Sequence, residues 1–313
     1  MKKYLVTGGA GFIGSNITKK LLETGGFVRI VDNFSTGRKE NIKEFINNPN
    51  FELIEGDLID FAIARKAVKG MDFVSHQAAV SSVVCSIEDP LKSNNSNITA
   101  TLNLLISAKD EGVKKFVYAS SSSIYGDNPE LPEKENFLIE PISPYALTKY
   151  AGERYSQLFW QIYKFPTICL RYFNVFGPKQ NPFSQYSAVI PKFITAFLKN
   201  EKPIIYGTGE QSRDFIYVDN VIEANLLATD LKNGNGEIFN IAGGKETNLN
   251  QLINLLQKIT GKNIRPEYQK ERQGDVLRSL ADISKAQNVL GYNPKVSFED
   301  GLIKTLNWYE QNG

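Results

Sequence analysis

Short apolar runs alternate with helix-length amphipathic segments through the first half of the chain. The apolar runs are KYLVTG, FVRIVD, FELIEGD, MDFVSHQAA and KKFVYASS, and PTICLRYFNVFG follows after a long helical segment. Because these runs are apolar throughout rather than alternating with polar residues, we expect parallel strands that are buried on both faces. The pattern predicts a doubly wound α/β domain with a parallel sheet.

The pattern changes at about Asn174. Loops become longer and prolines more frequent, and the last 70 or so residues suggest a smaller α/β cap. The segment RDFIYVDNVIEANLLAT still predicts a strand and a helix. We therefore expect a first domain over residues 1–173, to which residues 214–242 return, and a second domain over residues 174–213 and 243–313.

Composition excludes several classes of protein. The formal net charge is +2 with positive and negative residues interspersed, so we expect neither a nucleic-acid partner nor a membrane partner. Two cysteines and one histidine, His76, are too few for a zinc cluster or a disulfide framework, so no metal site is predicted. This cysteine usage suits a reducing cytoplasm, and no signal peptide is visible at the N-terminus.

A glycine pattern follows the first predicted strand and opens the first predicted helix. The glycines are Gly8, Gly11 and Gly14, and Asp32 ends the second strand. Glycines allow a tight turn and a close approach to a pyrophosphate, and a carboxylate at Asp32 would accept bonds from ribose hydroxyls. The pattern predicts NAD rather than NADP, because Asp32 would repel a 2′-phosphate. Asp57 is a candidate for the adenine edge, or else a helix N-cap.

Tyr145 and Lys149 lie four residues apart at the start of a predicted helix, in SPYALTKYAG. Ser143 is a good N-cap and Pro144 suits the first helical position. One turn of helix places the phenol and the ammonium on the same face. The spacing is common on solvated helices, but a nearby cation also lowers the pKa of a phenol and so favours proton transfer.

The serine run SSSSIYG ends the fifth strand, where ligands bind in open parallel sheets. Taken together, the glycine pattern, Asp32 with NFSTG, this run and the Tyr145/Lys149 pair make the chain resemble an extended short-chain dehydrogenase/reductase. RYFNVFGP and RDFIYVD extend the resemblance over nearly the whole chain. It implies a Rossmann domain with a C-terminal substrate-binding cap, in which Tyr145 is the catalytic base, Lys149 lowers its pKa and Ser121 binds the reacting oxygen.

The resemblance also implies two sets of binding residues. The expected NAD contacts, besides the glycines and Asp32, are Phe12, Ile13, Asn33, Ser35, Thr36, Gly37, Asp57, Leu58, Gln77, Ala78, Ala79, Tyr145, Lys149 and Tyr172. The expected substrate contacts are Ser82, Ser121, Ser122, Tyr145, Asn174, Gln180, Ala188, Val189, Tyr206, Arg213, Arg272, Asp275 and Ser279. Among these, Arg213 and Arg272 would clamp a diphosphate, and Asp275 would bind a uridine ribose.

The loop around Ser121 favours one reaction within this family. Ser122 and Ser123 stand where the related 4,6-dehydratases carry an Asp-Glu pair, and the glutamate of the decarboxylases is also absent. We therefore expect a UDP-sugar 4-epimerase, in which NAD takes a hydride from carbon 4, the keto sugar turns over and the hydride returns. A non-catalytic NAD-sensing regulator is disfavoured, because Tyr145 and Lys149 are both present.

Ser279 bears on the substrate. Similar 4-epimerases vary here between tyrosine and a smaller residue, and a small side chain leaves room for a 2-acetamido group. The chain most resembles the bacterial UDP-N-acetylglucosamine 4-epimerases, so UDP-GlcNAc and UDP-GalNAc are the expected substrates. UDP-glucose and UDP-galactose come second, and UDP-uronic acids third. The resemblance further implies a homodimer through a four-helix bundle, formed by the helix near Asn94 and the helix of Tyr145.

Overall fold

The structure is a computed structural model that describes residues 1–182, 188–271 and 277–312. Within these ranges the strands are β1 (Lys3–Thr7), β2 (Phe27–Asp32), β3 (Phe51–Glu55), β4 (Phe73–His76), β5 (Lys115–Ser121), β6 (Thr167–Tyr172), β7 (Asn174–Phe176), β8 (Ile204–Tyr206), β9 (Ser212–Tyr217), β10 (Ile238–Ile241), β11 (Glu246–Asn248) and β12 (Glu267–Gln269). The α-helices are α1 (Phe12–Glu23), α2 (Phe61–Val68), α3 (Val83–Glu88), α4 (Pro90–Asn94), α5 (Ala100–Glu111), α6 (Pro144–Tyr163), α7 (Val189–Lys199), α8 (Val218–Asp230), α9 (Leu249–Thr260) and α10 (Phe298–Asn312).

Seven of these strands form the predicted parallel sheet, in the order β10-β6-β5-β4-β1-β2-β3. The direction of strand order reverses between β1 and β4, so the connections leave the sheet in opposite directions there. This reversal opens a crevice at the carboxyl ends of the strands. The doubly wound α/β prediction is confirmed.

Both faces of the sheet are covered, as its uniformly apolar strands predict. Along β5, Phe116 and Tyr118 pack in the core beneath α2, α5 and α6. Val117 and Ala119 pack in the opposite core, against α8. Successive side chains of a strand point to opposite faces, so an apolar run of this kind fills two cores at once.

PTICLRYFNVFG is one apolar run in the sequence. The segment forms two strands instead: β6 pairs in the main sheet, and β7 pairs with β9 in a three-stranded sheet of order β11-β9-β7. β7 begins at Asn174, where the sequence analysis places the start of the second domain, although the run itself is apolar nearly throughout and carries no turn signal.

The segment 214–242 is divided in the same way. β9 lies in the three-stranded sheet, whereas α8 packs on the main sheet and β10 pairs with β6 at its edge. β9 bonds to β7 and β11 on its two sides, so within this segment it is α8 and β10 that join the main sheet. A parallel pair of β8 and β12 completes the smaller half. In the described parts of the chain, every helix is too short or too polar to span a bilayer.

Candidate functional site

The turn between β1 and α1 is built around the predicted glycines. Gly8 has φ +63°, and a Cβ there would lie 2.9 Å from the backbone of Ala78. A Cβ on Gly14 would lie 2.1 Å from the Gly8 carbonyl oxygen. The absence of side chains therefore allows the N-terminus of α1 to close on the end of β1, which leaves its backbone N–H groups directed at the crevice.

Asp32 is held at the edge of this crevice. Its Oδ2 accepts a hydrogen bond of 2.9 Å from the Ala10 N–H, and its Oδ1 accepts one of 2.9 Å from the Phe34 N–H. A Cβ on Gly37 would lie 2.7 Å from Oδ1, so glycine makes the room that the carboxylate occupies. Burial raises the pKa of Asp32, against the effect of these two backbone bonds.

Asp57 is held beside the same edge and does not cap the following helix. Its Oδ2 accepts a hydrogen bond of 2.8 Å from Asn33 Nδ2, and its Oδ1 accepts one of 2.9 Å from the Ile59 N–H. The N-cap of α2 is Asp60, whose side chain accepts a bond from the Ala62 N–H. The N-cap alternative for Asp57 is therefore wrong.

A cleft of about 870 Å³ runs from the glycine turn along the carboxyl ends of the strands. It collects most of the residues that the sequence predicted. They are Gly8, Gly11, Phe12, Ile13, Gly14, Asp32, Asn33, Ser35, Thr36, Asp57, Leu58, Gln77, Ala78, Ala79 and Tyr172 toward the turn, and Ser121, Ser122, Tyr145, Lys149, Asn174, Gln180, Ala188, Val189, Arg213 and Ser279 beyond it. This arrangement fits an extended dinucleotide with a second ligand next to it.

Three polar side chains meet where β5 ends and α6 begins. Ser143 caps α6, its Oγ accepting a 3.1 Å bond from the Ala146 N–H, as predicted. Tyr145 and Ser121 both line the cleft, and Ser121 lies close enough to act on the pKa of Tyr145. Lys149 Nζ donates a 2.7 Å bond to the carbonyl oxygen of Ala119. The phenol, the hydroxyl and the amine therefore line one wall of the cleft.

Burial controls the pKa values of Tyr145 and Lys149. Burial raises the pKa of Tyr145, and the hydrogen bond with Ser121 acts in the opposite direction. Burial also lowers the pKa of Lys149 to about 7, so its charge is easily lost. No contribution of Lys149 to the pKa of Tyr145 is resolved among these causes, so the expectation that Lys149 lowers that pKa stays a prediction.

His76, at the end of β4, has a structural role, because both of its ring nitrogens are hydrogen-bonded to threonine side chains. Its Nδ1 and Nε2 lie 2.6 Å and 2.8 Å from the hydroxyls of Thr7 and Thr101. Burial, together with the charge of Lys149, lowers its pKa to about 3, so the imidazole stays neutral. Thr7 Oγ1 also accepts bonds from the Gln77 and Ala78 N–H groups, which ends the strand at this point.

Three predicted contacts do not line the cleft. Gly37 lies behind the Asp32 carboxylate, and Ser82 caps α3 by accepting a 3.1 Å bond from the Cys85 N–H. Tyr206 ends β8, where its carbonyl oxygen accepts a 2.6 Å bond from Gln211 Nε2. These positions are set by their local roles. Arg272 and Asp275 lie outside the described residues.

The cleft also contains polar groups that the sequence did not point to. Lys179 Nζ donates to the Asn41 carbonyl oxygen and to Glu44 Oε1, both at 2.8 Å, and so ties two walls together. Glu133 lies in the wall next to Ser279. Beside them lies Gln180, a contact that the sequence did predict; its Oε1 is buried and has no hydrogen-bond partner among the described residues. Lys179 and Glu133 come from polar stretches that are typical of solvated loops, so no pattern could have found them.

Comparison with known proteins agrees with this geometry. The family model for the NAD dependent epimerase/dehydratase family matches residues 4–242. Three solved structures superpose over nearly the full length of both chains. One is a UDP-N-acetylglucosamine 4-epimerase from Methanobrevibacter ruminantium, in complex with UDP-N-acetylmuramic acid (42% identical, TM-score 0.95, covering 100% of this chain and 99% of that one).

The second structure is a UDP-glucose 4-epimerase from Thermotoga maritima with UDP-glucose (40% identical, TM-score 0.93, 99% of each chain). The third is a UDP-glucuronic acid 4-epimerase from Bacillus cereus in complex with UDP-glucuronic acid and NAD (34% identical, TM-score 0.92, 99% of this chain and 100% of that one). These relatives share one fold and are named for three different sugars.

Proposed function

Because the chain belongs to the NAD-dependent epimerase/dehydratase family and is a UDP-sugar epimerase that uses NAD, we propose that it interconverts UDP-GlcNAc and UDP-GalNAc by inverting carbon 4. The observation that carries this preference is Ser279, which is buried and lines the cleft. A serine in this position leaves space for a 2-acetamido group that a tyrosine would occupy.

The catalytic part of the proposal rests on Tyr145, Ser121 and Lys149. Tyr145 exchanges a proton with the 4-hydroxyl, while Ser121, which lines the same part of the cleft, holds the same oxygen. Lys149 is anchored by its bond to the Ala119 carbonyl and so stays close to both. Bound NAD supplies a hydride acceptor that returns the hydride within one turnover.

No further acid or base is available in the turn that follows Ser121. Ser123 donates from its Oγ and its N–H to Ser121 Oγ, at 2.9 Å and 3.2 Å, and Ser122 lines the cleft. Elimination of water from a keto sugar needs an acid and a base next to the reacting carbon. The neutral hydroxyls therefore favour epimerisation over dehydration.

The nucleotide end of the substrate is assigned to the far part of the cleft. Arg213 lines it, and a guanidinium binds a diphosphate through paired bonds. Asn174, Ala188 and Val189 line the same part. Gln180 offers its buried Oε1 as an acceptor for an N–H or O–H of the sugar. Arg272 and Asp275 remain predictions for the diphosphate and the uridine ribose.

Two other substrates would undergo the same chemistry. A UDP-glucose 4-epimerase would use the identical catalytic groups, and the Thermotoga relative is named for that activity. A UDP-uronic acid needs a cation to balance the sugar carboxylate. Among the described cleft residues, Lys179 is already paired with Glu44, and Arg213 is assigned to the diphosphate.

We also propose that the protein is a homodimer. Apolar side chains stand exposed on α3, α4 and α6: Ile87 is 63% exposed, Leu91 74%, Leu147 53% and Ile162 63%. The three helices pack together, so these side chains extend over neighbouring elements. A second copy of the chain would bury them. The expected four-helix bundle would take two helices from each copy, α6 and the helix that starts near Asn94.

The proposal is tested by incubating the purified protein with UDP-GlcNAc or UDP-glucose and no added cofactor, and by following the anomeric protons by NMR. Faster conversion of UDP-GlcNAc is the expected result. Faster conversion of UDP-glucose would overturn the Ser279 argument and leave the chemistry standing. If neither sugar reacts after NAD is supplied, 4-epimerisation of both is excluded.

A further inference from the structure

Glu133 lines the cleft, although it is only 3% exposed. The backbone on both sides is fixed: its N–H donates a 2.7 Å bond to the Leu280 carbonyl oxygen, and its carbonyl oxygen accepts 2.9 Å bonds from the Asp282 N–H and from Asn240 Nδ2. The side chain is therefore a permanent part of the wall and not a mobile surface group.

The carboxyl is almost without partners. Within the described residues its hydrogen bonding is limited to one long contact, a 3.4 Å bond that Ser279 Oγ donates to Oε2. A buried polar group of this kind is costly unless a ligand or a proton satisfies it. Because the carboxyl lies against Ser279, the hydrogen-bonding groups that Ser279 leaves unused face the part of the cleft that is assigned to the sugar.

The surroundings keep this carboxyl protonated at neutral pH. Burial is the main cause, and Asp214 adds to it, whereas Ser279, Arg171 and Arg213 act in the opposite direction. The resulting pKa is about 8. Asp214 is occupied by the N–H groups of Gly243 and Gly244 at 2.8 Å and 3.0 Å. At pH 7 Glu133 therefore has one O–H donor and one carbonyl acceptor.

An acetamido group has the complementary pair, an N–H donor and a carbonyl acceptor, so a neutral acid can bond to both. An ionised carboxylate has acceptors alone and would face the acetamide carbonyl without a proton between them. A hydroxyl in the same place can turn to donate or to accept, and is indifferent to the protonation of the acid. The neutral acid thus favours a sugar with a 2-acetamido group over one with a 2-hydroxyl group.

We propose that Glu133 is a specificity-determining residue, whose carboxyl group binds the 2-acetamido group of the sugar in the pocket that it forms with Ser279. The inference rests on the proposed function, because it assumes that an acetylated sugar occupies this cleft. It explains why a buried acid with one long hydrogen bond among the described residues is tolerated there: its partner is supplied by the substrate.

The test compares kcat/KM for UDP-GlcNAc and UDP-glucose in the wild type, Glu133→Gln and Glu133→Leu, between pH 6.5 and 9. Glutamine keeps a donor and an acceptor at every pH, whereas leucine has neither. Glu130→Gln is the matched control, since this exposed carboxyl belongs to the same loop and does not line the cleft.

We expect Glu133→Leu to lower the preference for UDP-GlcNAc by about five- to tenfold, the effect of one or two hydrogen bonds. The wild-type preference should fall as the pH rises through 8, while that of Glu133→Gln stays level and that of Glu130→Gln follows the wild type. A wild-type enzyme that prefers UDP-GlcNAc while both Glu133 variants keep its preference and pH profile overturns the inference alone. A wild-type enzyme without that preference overturns the proposed substrate first.

Discussion

Arg171 and Glu153 form a buried pair in which both carboxylate oxygens are bonded. Arg171 Nε donates to Oε2 at 2.9 Å and Nη2 donates to Oε1 at 2.7 Å. Ser120 Oγ donates to Oε2 as well, at 2.9 Å. Glu153 lies one helical turn after Lys149 on α6, and Ser120 precedes Ser121 on β5. The pair therefore fixes the helix that carries Tyr145 against the strand that carries Ser121.

Replacing Glu153 with glutamine should destabilise the protein strongly. The change leaves the Arg171 charge buried without its partner, and we expect the free energy of unfolding to fall by about 3–5 kcal/mol. Chemical denaturation of the holoenzyme measures it. Glu299→Gln is the control, because its pair with Lys258 is exposed and should change stability by less than about 1 kcal/mol. Equal losses of stability in the two variants would show that the buried pair contributes no more than an exposed one.

Tyr145→Phe should abolish proton exchange while the site stays assembled. We expect kcat to fall by about 10²- to 10⁴-fold, which is the usual contribution of a positioned general base. NAD content and binding of the UDP-sugar should stay close to wild type, since phenylalanine keeps the ring and removes the hydroxyl alone. Tyr150→Phe, on the same helix and outside the cleft lining, is the control. If Tyr145→Phe had the wild-type kcat, the general base would have to be another residue.

Gly37→Ala should weaken NAD binding although residue 37 does not itself line the cleft. The new Cβ would lie 2.7 Å from Asp32 Oδ1 and displace the carboxylate. We expect NAD to bind about tenfold more weakly, as after loss of a hydrogen bond to a charged group. Gly26→Ala is the control: a Cβ at this position is also crowded, but the residue lies away from the cleft. This variant should be less stable than the wild type and should bind NAD with unchanged affinity. Titration of the apoprotein with NAD decides whether Asp32 moves.

The stability of the protein should depend on pH through Glu133. Its pKa in the folded protein is about 8, well above its usual value of 4.5. The folded state therefore binds this proton more tightly than the unfolded chain. The corresponding stability is fully present below pH 4.5 and is lost as the pH rises through 8.

Glu133→Gln removes this titration, so the variant should gain on the wild type as the pH increases. From pH 5 to pH 9 the difference in the free energy of unfolding should shift by about 4 kcal/mol in favour of the variant. Urea unfolding of both proteins at several pH values provides the measurement. Parallel curves would mean that Glu133 is ionised in the fold at neutral pH.

Leu91→Asp should convert a dimer into monomers, because it places a charge in the apolar surface of α4 and α6. Sedimentation of the wild type and the variant at equal concentrations measures the change. Leu138→Asp is the control, since this leucine is 73% exposed but lies on the loop before α6. A wild type that sediments as a monomer would exclude the dimer, and a variant that stays dimeric would place the interface elsewhere.

Local sequence patterns are sufficient to predict the sheet, the glycine turn and the cap of α6. Each depends on neighbours within a few residues: apolar runs, glycines without Cβ, and Ser143 before Pro144. The meeting of Ser121 with Tyr145 is predicted from the family resemblance, because the two residues come from different elements. Its geometry in this chain requires the fold.

What the sequence could not predict depends on long-range burial. Glu133 stands in ELPEKENF, which is as charged as a typical solvated loop. It is buried because the segment is fixed against Leu280 and Asp282, which come much later in the chain. The same is true of the pKa of Lys149, which the sequence treats as a cation and burial brings to about 7. Desolvation is a property of the assembled core and is not encoded in any short motif.

Phe173 is the single residue between β6 and β7, which belong to two different sheets. The cofactor side and the nucleotide-sugar side of the cleft are thus joined by one residue rather than by a linker. An insertion of one residue here would turn the side chains of β7 to the opposite face, so the length of this connection is a constraint that the surface loops do not share. In the proposed reaction this short connection limits how far the two sides of the cleft can move apart while the keto sugar turns between them.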